Sequence, residues 1–128
     1  MKMLILSFVL MGSQAFAAAS KVDFITPKNN ETVGTTFPVE FKVEGMTVEK
    51  AGVMKKGTGH HHLIIDGKPI KKGMAVPKDE THIHYGDGAT STTVTLAPGK
   101  HTLTLQFADG AHLSMGPEYS KTITVEVK

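Results

Sequence analysis

The sequence predicts an all-β protein: an antiparallel, immunoglobulin-like β-sandwich of about seven strands after an N-terminal signal peptide. Three observations support this fold class. Several short segments alternate apolar and polar residues with a period of two, which is typical of strands with one buried face. Turn sequences rich in Gly, Pro and Asp separate these segments. No segment has helical periodicity.

The N-terminus has the pattern of a secretory signal peptide. Lys2 precedes an apolar stretch from Met3 to Met11, and Ala15-Phe16-Ala17 supplies small residues for cleavage. We expect a signal peptide over residues 1–17, with cleavage after residue 17, 18 or 19, and a single domain over residues 22–128. The apolar stretch is shorter than the roughly 20 residues of a membrane span. The expected product is periplasmic or secreted and has no membrane span.

The clearest strands carry apolar residues at every second position. These residues are Phe37, Val39, Phe41 and Val43, then Leu103, Leu105 and Phe107, then Ile123, Val125 and Val127. The turn Ala97 to Lys100 contains a proline that presets φ and a glycine that accepts positive φ. It predicts a hairpin between Thr90 to Leu96 and His101 to Ala108. The weaker strand patterns are Asp23 to Ile25, Met46 to Glu49 and His60 to Asp66.

The composition excludes one class of partner. All 14 basic residues are lysines, and without Lys2 the remaining 13 face 12 acidic residues, a formal charge of +1. Arginine is absent and few residues are aromatic, so the bidentate contacts and stacking platforms of nucleic-acid-binding proteins are missing. We therefore expect no nucleic-acid partner. Cysteine is also absent, so the domain must close its core without disulfides.

Five of the seven histidines fall into two short groups: His60, His61 and His62, and then His82 and His84. Residues i and i+2 of a strand point to the same side, about 6.6 Å apart, so each His-x-His pair can bind one ion. His60 and His62 would share a face opposite His61. If the two groups lie on neighbouring strands, four imidazoles converge on that face.

The converging imidazoles predict a transition-metal site. The predicted ligands are His60, His62, His82, His84 and, from a loop, His112, with His61 as a further candidate. Imidazole suits copper and zinc, and affinity rises towards copper along the Irving–Williams order. Copper is therefore the first expected metal and zinc the second. Met54 precedes the first group and Met115 lies three residues after His112, so either could add a thioether ligand for Cu(I).

Other roles are open for the polar side chains. A buried network of hydrogen-bonded histidines that fixes the loops would use the same residues. His101 is expected to be structural, whereas Asp79, Asp87 and Asp109 are expected to accept hydrogen bonds from ligand rings or to organise turns. The sequence has no serine-elbow, zinc-protease, P-loop or EF-hand motif. We therefore favour a protein without catalytic turnover.

Four blocks of sequence carry a family pattern: Gly59 to Asp66, His82 to Gly88, Leu96 to Leu105, and Ala108 to His112. They resemble the bacterial exported family called domain of unknown function 4399, and the resemblance covers nearly all of the chain from about Val22. It implies an exported β-sandwich module of unsettled biochemical role and no particular metal. The recurring histidines of the family correspond to His60, His61, His62, His82, His84, His101 and His112.

A second resemblance is local. His82 to Asp87 is similar to the His-x-His-x-x-Gly-Asp copper segment of copper-zinc superoxide dismutases, but only one residue separates His84 from Gly86. The missing residue and the absence of cysteine and arginine argue against that family.

Together these features favour an exported, histidine-rich module that binds copper or zinc without catalysis, for storage, delivery or resistance. Its expected partners are the metal ion and another envelope protein. Two alternatives remain open at this stage. One is a structural or adhesive module of the cell envelope with a hydrogen-bonded histidine network, and the other is a metal-dependent enzyme of the superoxide dismutase or hydrolytic type.

Overall fold

The computed structural model describes residues 19–128, and the predicted signal peptide over residues 1–17 lies outside this range. The strands are β1 (Val22–Thr26), β2 (Glu31–Val33), β3 (Thr36–Val43), β4 (Thr47–Val48), β5 (Thr58–Ile65), β6 (His82–His84), β7 (Ser91–Thr95), β8 (Gly99–Ala108) and β9 (Ser120–Val127). A single 3-10 turn, Pro117–Tyr119, precedes β9. Within residues 19–128, no helix is long and apolar enough to cross a membrane.

The strands form two sheets. The smaller sheet has three antiparallel strands in the order β1-β3-β7. The larger sheet has six strands in the order β2-β9-β8-β5-β4, with β6 also paired to β5. The pairs β2-β9 and β4-β5 are parallel, and the other strand pairs of this sheet are antiparallel. The predicted all-β sandwich is confirmed.

The core of the sandwich consists of the alternating apolar residues that define the strands in the sequence. Phe37, Val39 and Phe41 of β3 belong to one buried cluster with apolar residues of β8 and β9. Those partners are Leu103, Leu105, Phe107, Ile123, Val125 and Val127. Each is almost fully removed from solvent. Burial of one such side chain stabilises a fold by roughly 1.5–3 kcal/mol, so the sandwich needs no disulfide to close.

The predicted hairpin between Thr90 to Leu96 and His101 to Ala108 is wrong. Strand β7 pairs with β3 in the smaller sheet, whereas β8 pairs with β5 and β9 in the larger sheet. The turn at Ala97 to Gly99 therefore carries the chain from one sheet to the other. Turn residues specify only the local backbone, such as the φ of 135° at Gly99. They do not specify which strands pair afterwards.

A small two-stranded ribbon covers the outer face of the larger sheet. We use "the ribbon" for residues 73–76 and 112–114, which pair antiparallel. Within it, Val76 N donates to His112 O at 2.9 Å. The ribbon thus places one histidine of the β8-β9 connection above the outer face of β5.

Gln106 of β8 anchors the chain on either side of the ribbon to the sheet. Its side chain is fully buried on the outer face of the larger sheet. Gln106 Oε1 accepts a hydrogen bond from Ile70 N at 3.0 Å. Gln106 Nε2 donates to Gly116 O at 3.2 Å and to Tyr119 O at 3.3 Å. One buried amide therefore holds the segment before the first ribbon strand and the segment after the second.

Candidate metal centre

Strand β5 carries three consecutive histidines on opposite faces of the larger sheet. His61 points into the sandwich core, whereas His60 and His62 point to the outer face beneath the ribbon. Strand β6 lies antiparallel to β5, with His84 directly opposite His62. Directly opposite residues share a face of the sheet, so His84 joins the outer group. All three β5 histidines are fully buried.

The rings on the outer face converge on His112 of the ribbon. His112 Nδ1 lies 3.0 Å from His60 Nε2 and 3.3 Å from His62 Nε2. It also lies 3.2 Å from His84 Nδ1. Nitrogens bound to one tetrahedral zinc ion are about 3.3 Å apart, because each Zn–N bond is about 2.0 Å long. We call these four residues the histidine cluster.

Three members of the histidine cluster form its tightest part. Among the described residues, His60, His62 and His112 each offer a ligand nitrogen, and these nitrogens all lie within 4.8 Å of one another. His84 reaches this group through its contact with His112. The cluster could therefore hold a metal ion with the imidazoles of His60, His62 and His112, and His84 lies beside this group in contact with His112.

Backbone carbonyls fix the orientation of two rings. His62 Nδ1–H donates to Gln106 O at 3.3 Å, and His84 Nε2–H donates to Pro77 O at 2.7 Å. A neutral imidazole carries one N–H, so His62 Nε2 and His84 Nδ1 hold lone pairs. Both of these nitrogens contact His112 Nδ1. Metal-binding histidines are oriented in the same way, with the second ring nitrogen donating to a carbonyl or carboxylate.

Hydrogen bonding alone leaves most of these contacts unsatisfied. His112 Nδ1 contacts three ring nitrogens but carries at most one proton. If it is protonated, it has one N–H for three neighbours. If it is not, His60 Nε2 is the single neighbour with a proton to donate. In either case at least two of the three nitrogen pairs have no proton of their own, whereas a cation among them would attract every lone pair.

Burial and mutual repulsion lower the pKa values of three clustered rings, those of His60, His62 and His112. Desolvation, followed by the proximity of His112 and His84, lowers the pKa of His60 from 6.5 to about 4. Desolvation, followed by the proximity of His60 and His84, lowers the pKa of His62 to about 3. The pKa of His112 is also lowered, again mainly by desolvation. At neutral pH these three rings therefore present unprotonated nitrogen, the form that binds metals.

A tight loop after β8 presents His112. Asp109 Oδ1 accepts hydrogen bonds from Ala111 N at 2.9 Å and from Leu113 N at 3.0 Å. His112 itself has a φ of 62°, in the left-handed region that residues other than glycine rarely adopt. Such strained backbone often occurs at functional sites, where the surrounding structure holds it. Here the Asp109 carboxylate organises the loop on both sides of the strained residue.

The histidine cluster opens to solvent on one side. His60 and His62 are fully buried, whereas His84 and His112 are partly exposed. Both exposed rings line a surface depression of about 520 Å³. The other lining residues are Ala51, Ala75, Val76, Lys78, Gly86 and Ala111. This depression gives an ion a path to the cluster.

Two predicted ligands lie outside the histidine cluster. His82 Nδ1–H donates to Asp79 Oδ1 at 2.8 Å, and this hydrogen bond is the main reason that the pKa of Asp79 falls to about 2. The ring of His61 packs in the core between Phe41 and Phe107, at centroid distances of 4.6 and 5.0 Å. Neither ring reaches His112.

The remaining candidates from the sequence also do not belong to the histidine cluster. His101 Nδ1–H donates to Asp66 Oδ2 at 2.8 Å, and its Nε2–H donates to Ala97 O at 2.8 Å, which is the structural role predicted for it. Met115 packs against the hydrophobic core and Met54 is largely exposed. The carbonyls of Pro77 and Gln106 have no signature in the sequence, because any residue type can supply a carbonyl.

An all-β sandwich with converging histidines on the outer face of one sheet is thus the class of protein defined by the structure. The family model described as "Domain of unknown function (DUF4399)" matches residues 39–128, and the chain belongs to this family. The matched range includes the whole histidine cluster. No curated protein and no solved structure matches the chain significantly.

Proposed function

We propose that this protein is a periplasmic or secreted metal-binding protein whose histidine cluster holds one copper or zinc ion without catalytic turnover. It serves storage, delivery or resistance. The observation that carries the proposal is the position of His112 Nδ1, at 3.0–3.3 Å from three other ring nitrogens. These nitrogens share too few protons to be joined by hydrogen bonds, and an ion would satisfy all of them.

The chemistry of the donors supports copper or zinc over harder ions. All the converging atoms are imidazole nitrogens, and magnesium and calcium prefer oxygen ligands. Nitrogen ligands of this type bind Cu(II) more tightly than Zn(II) along the Irving–Williams order. We therefore expect copper to displace zinc when both are present at equal concentration.

The strongest alternative is a purely structural role, with the histidines as a hydrogen-bonded brace in an adhesive or envelope module. A brace of neutral rings needs a proton between each pair of contacting nitrogens, and the cluster has fewer protons than contacts. This shortage of protons favours the ion over the brace.

Isothermal titration of the metal-free protein with Cu(II) and with Zn(II) tests the proposal. We expect one ion per chain and a dissociation constant of roughly 1 µM or tighter for copper. Thermal unfolding should then shift to higher temperature with the ion concentration, because an ion that binds the native state alone stabilises it by mass action. Dissociation constants weaker than about 1 mM for both metals would refute the proposal and favour the brace.

A further inference from the structure

The histidine cluster lacks negative charge. Its converging donors are imidazole nitrogens, which bring no negative charge, so they would not reduce the +2 charge of a bound divalent ion at this partly buried position. Burial of uncompensated charge is costly in a protein. Asp109 lies in the loop that presents His112, but its Oδ1 atom accepts hydrogen bonds from Ala111 N and Leu113 N, and the residue does not line the open depression. The ion would therefore attract an additional anion.

The open side of the cluster adds a positive charge where such an anion would lie. Lys78 lines the depression beside His84 and His112, and it is the single charged side chain among the lining residues. Within residues 19–128, the ammonium group of Lys78 has no carboxylate partner within ion-pair distance. The other lining residues are small and leave space for a ligand.

We propose that the depression next to the histidine cluster binds a small carboxylate anion, which coordinates the metal at its solvent-facing position and pairs with Lys78. This inference rests on the proposed metal binding. The volume of about 520 Å³ fits a small soluble ligand. The protein would therefore bind one metal ion together with one anion, and three or four of its imidazoles would hold the ion.

Azide binding to the copper-loaded protein tests this proposal, because azide bound to Cu(II) has its own charge-transfer absorption. Azide is titrated into the wild type, into Lys78→Met, which keeps the length of the side chain, and into Lys68→Met as a matched control. Lys68 belongs to the same connection between β5 and β6, is exposed, and does not line the depression. We expect azide affinity to fall about fivefold in Lys78→Met and to stay unchanged in Lys68→Met.

Competition with acetate at constant ionic strength then tests the class of ligand. We expect acetate to lower the apparent azide affinity of the wild type and to have a weaker effect in Lys78→Met. Equal azide affinity in the wild type and Lys78→Met, or no competition by acetate, would overturn the proposal while metal binding stands. Failure of the protein to take up copper in the first titration would overturn both proposals.

Discussion

His60 Nε2 lies 3.0 Å from His112 Nδ1, although the two residues are 52 positions apart in sequence. One ring comes from the centre of the larger sheet and the other from the ribbon that covers it. The contact therefore requires that β5, β8 and the ribbon fold together, and the donor set cannot form in a local fragment. Metal binding at this position would report on the complete tertiary structure.

Substitution of His112 should abolish tight metal binding. Asn tolerates the left-handed backbone of residue 112, so His112→Asn removes the imidazole without adding strain. We expect copper affinity to fall more than about 100-fold, since loss of even an outer hydrogen-bond partner costs about 10–100-fold. His82→Asn is the matched control, because Asn can still donate to Asp79. A comparable loss in His82→Asn would show that His82 belongs to the ligand set.

Gln106 should couple the stability of the ribbon to the affinity for metal. Gln106→Leu leaves buried partners at Ile70 and Gly116 without their hydrogen bonds. We expect unfolding free energy to fall by about 3 kcal/mol, as one unsatisfied buried group costs about 1–3 kcal/mol. Copper affinity should fall as well.

Thr104→Val is the control for this experiment. Thr104 is buried on the same strand and loses a single hydroxyl contact with Thr122. Chemical denaturation and copper titration of both variants provide the measurement. Equal copper affinity in Gln106→Leu and the wild type would show that the ribbon does not depend on this amide.

Removal of the His61 imidazole should stabilise the protein. Both ring nitrogens of His61 are buried without hydrogen-bond partners among the described residues. His61→Leu replaces them with apolar atoms of similar volume, and we expect unfolding free energy to rise by about 1 kcal/mol at neutral pH. Copper affinity should not change, because the ring faces the core. A loss of copper binding in a folded His61→Leu protein would contradict this assignment.

The same variant should reduce sensitivity to acid. Desolvation, followed by the proximity of His60, lowers the pKa of His61 from 6.5 to about 4. Between these two pH values the unfolded chain binds a proton that the folded chain does not, so stability falls as the pH decreases through this window. His61→Leu removes that contribution, and the decline in unfolding free energy should become shallower.

The ion pair of His101 and Asp66 should give the opposite pH dependence. Its hydrogen bond to Asp66, followed by that to Ala97 O, raises the pKa of His101 above 6.5. The folded state then binds the proton more tightly than the unfolded state. This stabilisation is complete below about pH 6.5, while Asp66 stays ionised, and is lost as the pH rises through the raised pKa.

Asp66→Asn is the variant that tests this pair. Asn retains an oxygen for Thr102 N and tolerates the φ of 55° at this position. We expect the difference in unfolding free energy between the wild type and Asp66→Asn to be larger near pH 6 than near pH 9, by about 1 kcal/mol at most because the pair is partly exposed. A difference that does not vary with pH would rule out a charged His101.

The strands with long alternation could be predicted from the sequence, since burial of one face fixes the period of apolar residues. This holds for β3, β8 and β9. The three-residue strands β2 and β6 are too short to alternate recognisably. The ribbon was also not predictable, because its pairing depends on contacts with Gln106 that lie far away in sequence.

The positions of the histidines were likewise predictable only in part. The parity of β5 correctly separates His61 from His60 and His62. The pairing of β5 with β6 also places His84 opposite His62, as expected if the two histidine groups lie on neighbouring strands. The orientation of His82 was not predictable from strand parity, because a local hydrogen bond to Asp79, three residues earlier, holds the ring.

The ribbon and the sheet would be linked by the bound ion itself. In a chain without cysteine, such an ion acts as a removable cross-link between segments about fifty residues apart, and it opposes their separation because its binding energy is lost when they part. Resistance of the ribbon to proteases would then follow the supply of metal. Starvation for metal would then shorten the lifetime of this protein, whereas exposure to metal would prolong it.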